Sequence, residues 1–464
     1  MLFAHGLLAP KEDLPIPEEA FAWAAATVLI LSFIGLSVSW LEPRFESWKW
    51  SPAAAFSRIA INPATGILAG AIGIFLLGVV VWSGFYGTAN SAANFNVTFV
   101  FITFWVCVAI VSIFLGDVFR AFNPWRAIAR VIGAVFNLVA GRSAPAPLSY
   151  PDRLGRWPAV AGLVAFLWLE LAYGVEIGQS VILISPESIA VATLIYTAVT
   201  FLGMTLFGVE KWCERGETFS VYFNMLSRIS PLEVRERQLG RRPWFSGAVG
   251  WGLVPGSVAF VLLAIAGTTF DGASEGVFAD WIDDVYSFIN GGGGAEGDVF
   301  ARRATSSLFM VLTFGLVLGV FWAGIKGMGT QGSKLTTTNL ARTFAHCFIP
   351  IAFAYTLAHY FSLVVFQEQA QFTYLLSDPL GNGSDYFGTA SGTVDLRAIT
   401  SEEVWYVQVG SLVIGHVAAL AMGHDKALSV YENLRRATQS QYWMLALMVS
   451  FTVLGLALLS AANE

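Results

Sequence analysis

Charge is scarce in this 464-residue chain: Asp, Glu, Lys and Arg together make up 12%, against 56% hydrophobic residues. Soluble domains carry roughly 25% charged residues, so a water-exposed globular protein of this length is excluded. Cysteine is scarcer still. The three cysteines, Cys107, Cys213 and Cys347, stand far apart in or beside apolar runs, which excludes a disulfide framework and a CxxC metal site. No HExxH or other compact metal signature occurs, and SDPLGNGSDYFGTA lacks the DxDxDG spacing of a calcium loop. Polar linkers are missing too. The length would admit two or three soluble domains, yet nothing separates the apolar runs, so residues 1–464 read as one integral membrane domain. The opening MLFAHGLLAPKEDLPIPEEAF is too short and too charged for a signal peptide ahead of the first run.

What is present is a series of apolar segments near the roughly 20 residues that a helix needs to cross a bilayer. Ten are expected, at about 20–41, 64–85, 97–119, 157–177, 187–208, 245–266, 305–325, 339–366, 402–428 and 442–461. The fold class is therefore all-α, a polytopic transmembrane bundle of about ten spanning helices. One or two amphipathic helices lying in the interface accompany it. After Asn123, Arg126 and Arg130 stand at i,i+4 opposite an apolar face beside Trp125, a pattern that suits such a helix. A second is expected near Phe219–Ile229, within the basic connection 209–244 that divides five segments (20–208) from five (245–464). Asp117 and Arg120, at i,i+3, read as an interfacial ion pair.

Loop charge orients the stack, because short cytoplasmic loops accumulate Lys and Arg. The connections after the first, third, fifth, seventh and ninth segments are basic. Those between them are neutral, nearly so, or acidic, as in 271–298 and 368–395. Both termini are then expected outside, and the two halves run in opposite orientation, as in transporters with inverted repeats. The basic residues are all loop residues beside membrane segments, so nucleic acid is excluded as a partner. The lipid bilayer and a small-molecule substrate remain.

Four of the five histidines fall between Thr338 and Asp425, on the eighth and ninth segments and the polar outer loop joining them. Ionisable groups inside a membrane are costly and generally face a bundle interior or a water-filled cavity. With a rise of about 1.5 Å per residue, His346 and His416 fall level in an inner layer, with His424 and Asp425 at the inner interface. His359, Tyr355 and Gln408 form an outer layer. Asp378 and Asp385 are placed to lid it from the loop, although turn chemistry explains them equally, and Asp395 lies further along. Pro350 is expected to leave a carbonyl without its helical donor between the layers. Glu170, near the middle of the fourth segment, is expected to face the same cavity level with His359, whereas Glu176 reaches water. His5, on the outer side, is a further candidate cap. His346 and His359 lie about 20 Å apart along one helix, so no same-helix pair shares an ion. Imidazole still suits a divalent transition metal, with His346, His359 and His416 as candidate ligands.

Several stretches resemble bacterial, especially actinobacterial, multi-pass membrane proteins labelled fenitrothion hydrolase. They are HGLL…DLPIPEEAFAWAAATVLILSF, LGDVFRAFNPWRA, FIPIAFAYTLAHYFS, SDPLGNGSDYFGTA and WYVQVGSLVIGHVAALAMGHDKAL, in that order along most of the chain. The resemblance implies a bacterial plasma-membrane location and organophosphate triester hydrolysis; it carries no residue roles. Two functions follow. In a membrane hydrolase, His359 with His416 or Glu170 would be catalytic, holding a metal whose bound water attacks a phosphotriester. In a transporter or permease for a small solute or metal ion, the two histidine layers are stations on a path and Glu170 carries a proton. A membrane assembly factor is a third reading.

Overall fold

A computed structural model describes residues 18–461 apart from 54–56, 58–60, 142–146, 178–179, 183, 237 and 293. His5 lies outside them. The chain is overwhelmingly helical, and seven helices are long and apolar enough to cross a membrane. These are α2 (Pro63–Tyr86), α3 (Phe95–Leu115), α6 (Pro186–Phe207) and five-turn α9 (Ser257–Glu275), followed by α11 (Ala295–Gly329), the eighth segment and α14 (Ser401–Val430). Helix α1 (Glu18–Ser39), whose apolar part is Trp23–Ser39, the shorter apolar α5 (Trp157–Tyr173) and the C-terminal α15 (Leu434–Ala461) complete the ten expected segments. All ten are helical.

The surface pattern suits lipid on the outside. Large apolar side chains such as Leu31, Ile67, Phe75, Leu194, Val311 and Ile414 are exposed, while polar groups turn inward. The innermost packing is supplied by α9, with Phe260, Leu262, Ile265 and Ala266 inaccessible, and by α13 (Ile349–Ala370). Tight crossings use small residues: a Cβ at Gly415 would lie 2.3 Å from Ala354 Cβ, so α14 lies directly against α13 there.

Three sequence expectations are corrected. The sixth segment does not begin at Phe245. Two short 3₁₀ turns occupy 246–253, and the helix starts only after Pro255 and Gly256, at Ser257. Proline cannot sit inside a helix without losing a hydrogen bond and clashing with the preceding turn, so the element shifts by about three turns. Asp271 moves with it, from the outer loop into a membrane helix. The second correction concerns α8 (Thr218–Ser227), which does not lie on a surface. Its Phe219, Val221, Tyr222, Phe223, Met225 and Leu226 are all buried, and Tyr222 stacks on Trp105 of α3 with ring centroids 4.0 Å apart. Between α7 (Val209–Arg215) and a β-hairpin, this helix enters the bundle rather than skirting it. Third, Asp117 takes the Arg120 backbone N–H at 3.2 Å and the Asn224 amide at 2.9 Å, while the Arg120 guanidinium pairs with Glu210.

The amphipathic helix α4 (Pro124–Ala140) is present, with Val131, Ile132, Val135, Leu138 and Val139 exposed in an apolar face. It is pinned at its start by Arg126, whose buried guanidinium meets Glu210. The acidic loop also holds α10 (Ala279–Asn290), an exposed amphipathic helix whose apolar residues Trp281, Ile282, Val285, Phe288 and Ile289 recur at helical spacing. The two small sheets, β1 (Ser51–Pro52) with β4 (Leu232–Arg235) and β5 (Gln238–Arg241), and β2 (Val175–Ile177) with β3 (Ser180–Ile182), only tie connections together. Glu176 lies on β2, and its side chain is outside the described residues.

Candidate functional site

The histidine hairpin is one packed unit, with α13 and α14 in extensive contact, but its first helix is not continuous. α12 (Thr337–Phe344) gives way to a 3₁₀ turn over Ala345–Phe348, and α13 restarts with Pro350 in its first turn, where its missing N–H costs nothing. The carbonyl expected to be free is not: His346 O accepts the Ile349 N–H. A 3₁₀ break inside a helix commonly marks a functional position, and this one carries His346.

Each histidine has its own partner. His359 Nε2 lies 2.8 Å from Asp271 Oδ2, and the Tyr360 hydroxyl donates to the same oxygen at 2.9 Å. Asp271 is 3% exposed. With the carboxylate ionised, Nε2 is the protonated ring nitrogen, and two donors on one oxygen offset part of the cost of burying the charge. Glu170 stands close enough to Tyr222 and Tyr360 to act electrostatically on both. It lies on a π-helical stretch, Leu169–Tyr173, that ends α5, and such stretches occur frequently at functional sites. The outer cluster thus draws Asp271 from α9, His359 and Tyr360 from α13, Glu170 from α5 and Tyr222 from α8.

A cavity of ≈ 20 Å³ adjoins this cluster, lined by Thr268, Gly272, Tyr355, Ala358, His359, Leu412 and Gly455. That is room for about one water. Thr268 and Gly272 share a face of α9 one turn apart, as do Tyr355 and His359 on α13, and Asp271 lies on the same side of α9 as Thr268. The Tyr355 hydroxyl donates to Phe451 O at 2.5 Å, fixing the ring beside the cavity. On the far side of Tyr355 stands His416, with ring centroids 6.0 Å apart. His416 Nδ1 donates to Leu412 O at 2.7 Å, so Nε2 is left as an acceptor; it is buried without a hydrogen-bond partner among the described residues.

The inner histidines sit apart from this. His346 is buried beside Cys347, and His424 Nε2 lies 3.0 Å from Trp40 O. Among the described residues no three His, Cys, Asp or Glu side chains come together as a set able to hold a metal ion. The expected ligand set His346, His359 and His416 is not brought together: His359 pairs with Asp271, His416 stands beside Tyr355, and His346 lies in the inner break. Gln408 is buried on α14. Asp378 and Asp385 do not lid the outer layer. Asp378 accepts the Asn382 and Gly383 N–H groups, and Asp385 accepts Ser377 Oγ and the Ala390 N–H. Both build turns inside their own loop, which hydrogen-bonds through Leu380 O and Pro379 O to Thr88 and Phe95.

A second carboxylate site went unforeseen. Glu368 Oε1 accepts the Thr103 hydroxyl at 2.8 Å, from a π-helical run Phe99–Cys107 within α3. Sequence reading had assigned Glu368, like Asp271, to the outer loop. The signal that would have recovered Asp271 is Pro255–Gly256, a helix-start mark in the middle of the expected segment.

No family model, curated protein or solved structure matches this chain.

Proposed function

We propose that this chain is a permease of the bacterial plasma membrane, the location its resemblance implies, crossing ten times with both termini outside, and that it couples passage of a small solute to protonation of the Asp271–His359 pair. One observation carries this reading. A carboxylate and an imidazole meet at 2.8 Å inside membrane helices, one turn from a cavity with room for a water. An intramembrane acid is costly whenever it is charged, and pairs of this kind mark proton relays. Tyr360, Glu170 and Tyr222 extend the cluster on one side. Tyr355 and the acceptor nitrogen of His416 extend it on the other, giving groups that exchange protons in successive places. The expected opposed orientation of the two halves, with helices that pack as one bundle among the described residues, supports the same reading.

Phosphotriester hydrolysis is the second reading, and one feature favours it. A carboxylate-oriented imidazole beside a one-water cavity is a general-base arrangement: His359 would take a proton as the water oxygen bonds to phosphorus and the phenoxide leaves. The space is too small for a triester, which places this reading second.

Proteoliposomes containing a pH-sensitive dye, with a potassium diffusion potential imposed, separate the two. Proton uptake by the intact chain, reduced at least tenfold in Asp271→Asn, is expected. Uptake no faster than in empty liposomes, together with release of the nitrophenol from fenitrothion by the purified protein, would replace the permease with the hydrolase.

A further inference from the structure

The three residues that close the ninth segment, His424, Asp425 and Lys426, all bind one piece of chain, the turn Trp40–Glu46 that leaves α1. Asp425, 2% exposed, accepts Trp40 Nε1 at 2.9 Å and the backbone N–H of Arg44 at 2.5 Å, with Phe45 N at 3.3 Å. His424 Nε2 donates to Trp40 O at 3.0 Å. Lys426 pairs with Glu46, and Ser429 reaches the same carboxylate oxygen at 3.4 Å. The turn also holds itself together, since the Arg44 guanidinium covers the Trp40 ring at 4.6 Å and Phe45 packs against that ring at 5.5 Å.

The 3₁₀ break of the hairpin packs against the same helix, α14. His346 lies within electrostatic range of Lys426 and Glu46, and Cys347 within range of Lys426 and Asp425. His346 and Cys347 are 1% and 0% exposed. One imidazole nitrogen in this region, His424 Nδ1, is buried without a hydrogen-bond partner among the described residues.

We infer that Trp40–Glu46 is a strap that closes the inner end of the histidine hairpin, and that its release from His424–Lys426 opens His346 to the cytoplasm. The strap is well suited to release. It carries no secondary structure, its outer residues Leu41, Glu42, Arg44 and Glu46 are exposed, and one carboxylate gathers most of its hydrogen bonds. It follows a helix end, where large backbone changes are most easily absorbed. This inference rests on the permease reading: with a cavity at the outer cluster and the strap closed inside, the structure is the inward-closed arm of an alternating-access cycle.

Cys347 supplies the test, because it stands beside His346 and needs no introduced probe. In the full chain carrying Cys107→Ser and Cys213→Ser, it is the sole thiol, and its modification by a membrane-permeant fluorescent maleimide is followed in inside-out vesicles. Slow labelling is expected when the strap is intact. Asp425→Asn and the milder Trp40→Phe and Lys426→Gln, which each remove one tie, should speed it, Asp425→Asn at least tenfold. Cys347 labelled as fast in the intact chain as after unfolding in detergent would overturn the strap. So would all three variants eluting as monodisperse protein with labelling unchanged. Neither result touches Asp271 or His359, so proton uptake would still stand or fall separately.

Discussion

Asp271 and His359 should be energetically coupled, and the coupling is measurable by a double-mutant cycle. Asp271 Oδ2 takes two donors, His359 Nε2 at 2.8 Å and Tyr360 Oη at 2.9 Å. A hydrogen bond to a charged group contributes about 1.5–3 kcal/mol net and a neutral one about 0.5–1.5 kcal/mol. Asp271→Asn keeps the shape and one acceptor oxygen but turns both bonds neutral, so the loss is about 1–1.5 kcal/mol per bond, or 2–3 kcal/mol altogether. Asp271→Ala removes both bonds and strands two buried donors, and breaking a buried pair in this way costs about 3–5 kcal/mol. His359→Gln retains a donor of similar reach but loses the ring. In the double variant Asp271→Asn/His359→Gln the second change acts on a bond already neutralised, so its cost falls. The coupling energy should lie at 1–2 kcal/mol, within the range seen for residues sharing one network. Reversible unfolding in mixed detergent micelles, followed by tryptophan fluorescence, reads all four corners of the cycle. Additivity within about 0.3 kcal/mol, the ordinary behaviour of independent sites, would refute a working Asp271–His359 pair.

Glu170→Gln should impair whatever proton flux His359→Ala abolishes, since both line one cluster, while Glu176→Gln should be mild; full flux in Glu170→Gln separates Glu170 from the site. Burial alone would raise the Glu210 carboxyl, but Arg126 and Arg130 hold it below its ordinary value. Its contribution is therefore complete above the unfolded glutamate pKa of about 4.3 and is lost as pH falls below that. Because the Glu210 side chain is 56% exposed, screening limits Glu210→Gln to a loss of about 1 kcal/mol at pH 7, and the variant's unfolding should lose the acid-side slope of the parent. Cysteines placed at the exposed Ala89 and Tyr386 should react with impermeant maleimide from outside the cell; reaction only from the cytoplasm would invert the topology. Asn94 is unsuitable for this, being fully buried, with its amide holding Ser83 O and Thr88 O.

Much of the scaffold was legible because hydrophobicity over 20 residues is a one-dimensional signal. Seven of the ten segments begin within three residues of where the pattern places them, α11 and α15 begin ten and eight residues earlier, and one begins later. The late one, expected at Phe245, is instructive: FSGAVGWGLVPGSVAF is apolar throughout, so hydropathy runs straight across a stretch whose Gly and Pro forbid a helix. The helix that entered the bundle was misread for the opposite reason. The flanks of α8 are basic, and loop charge outweighed an element that is buried on nearly every side. The site was legible by residue type and not by pairing. His359 and Glu170 stood out as ionisable groups in apolar runs, but periodicity places groups on their own helix and says nothing of which neighbour faces them. Asp271 was hidden by the displaced helix start alone. Once α9 begins at Ser257, depth counting puts Asp271 four turns into the membrane, level with the outer half of α13.

The energetics of the pair argue against a purely structural role. Replacing a buried ion pair by well-packed apolar residues is often neutral or stabilising, by about 1–4 kcal/mol. Around Asp271 the alternative was at hand: Phe270, Ala273, Ala358 and Leu363 pack without polar groups and are almost inaccessible. A leucine at Asp271 and a phenylalanine at His359 would extend that packing, fill the cavity beside Thr268 and Tyr355, and spare the chain an intramembrane carboxylate. A chain that instead keeps an acid, an imidazole and a water-sized space together in the interior of its bundle forgoes stability at that depth. Proton transfer, the role proposed for the pair, is chemistry that an acid, an imidazole and a phenol can carry out and that apolar packing cannot.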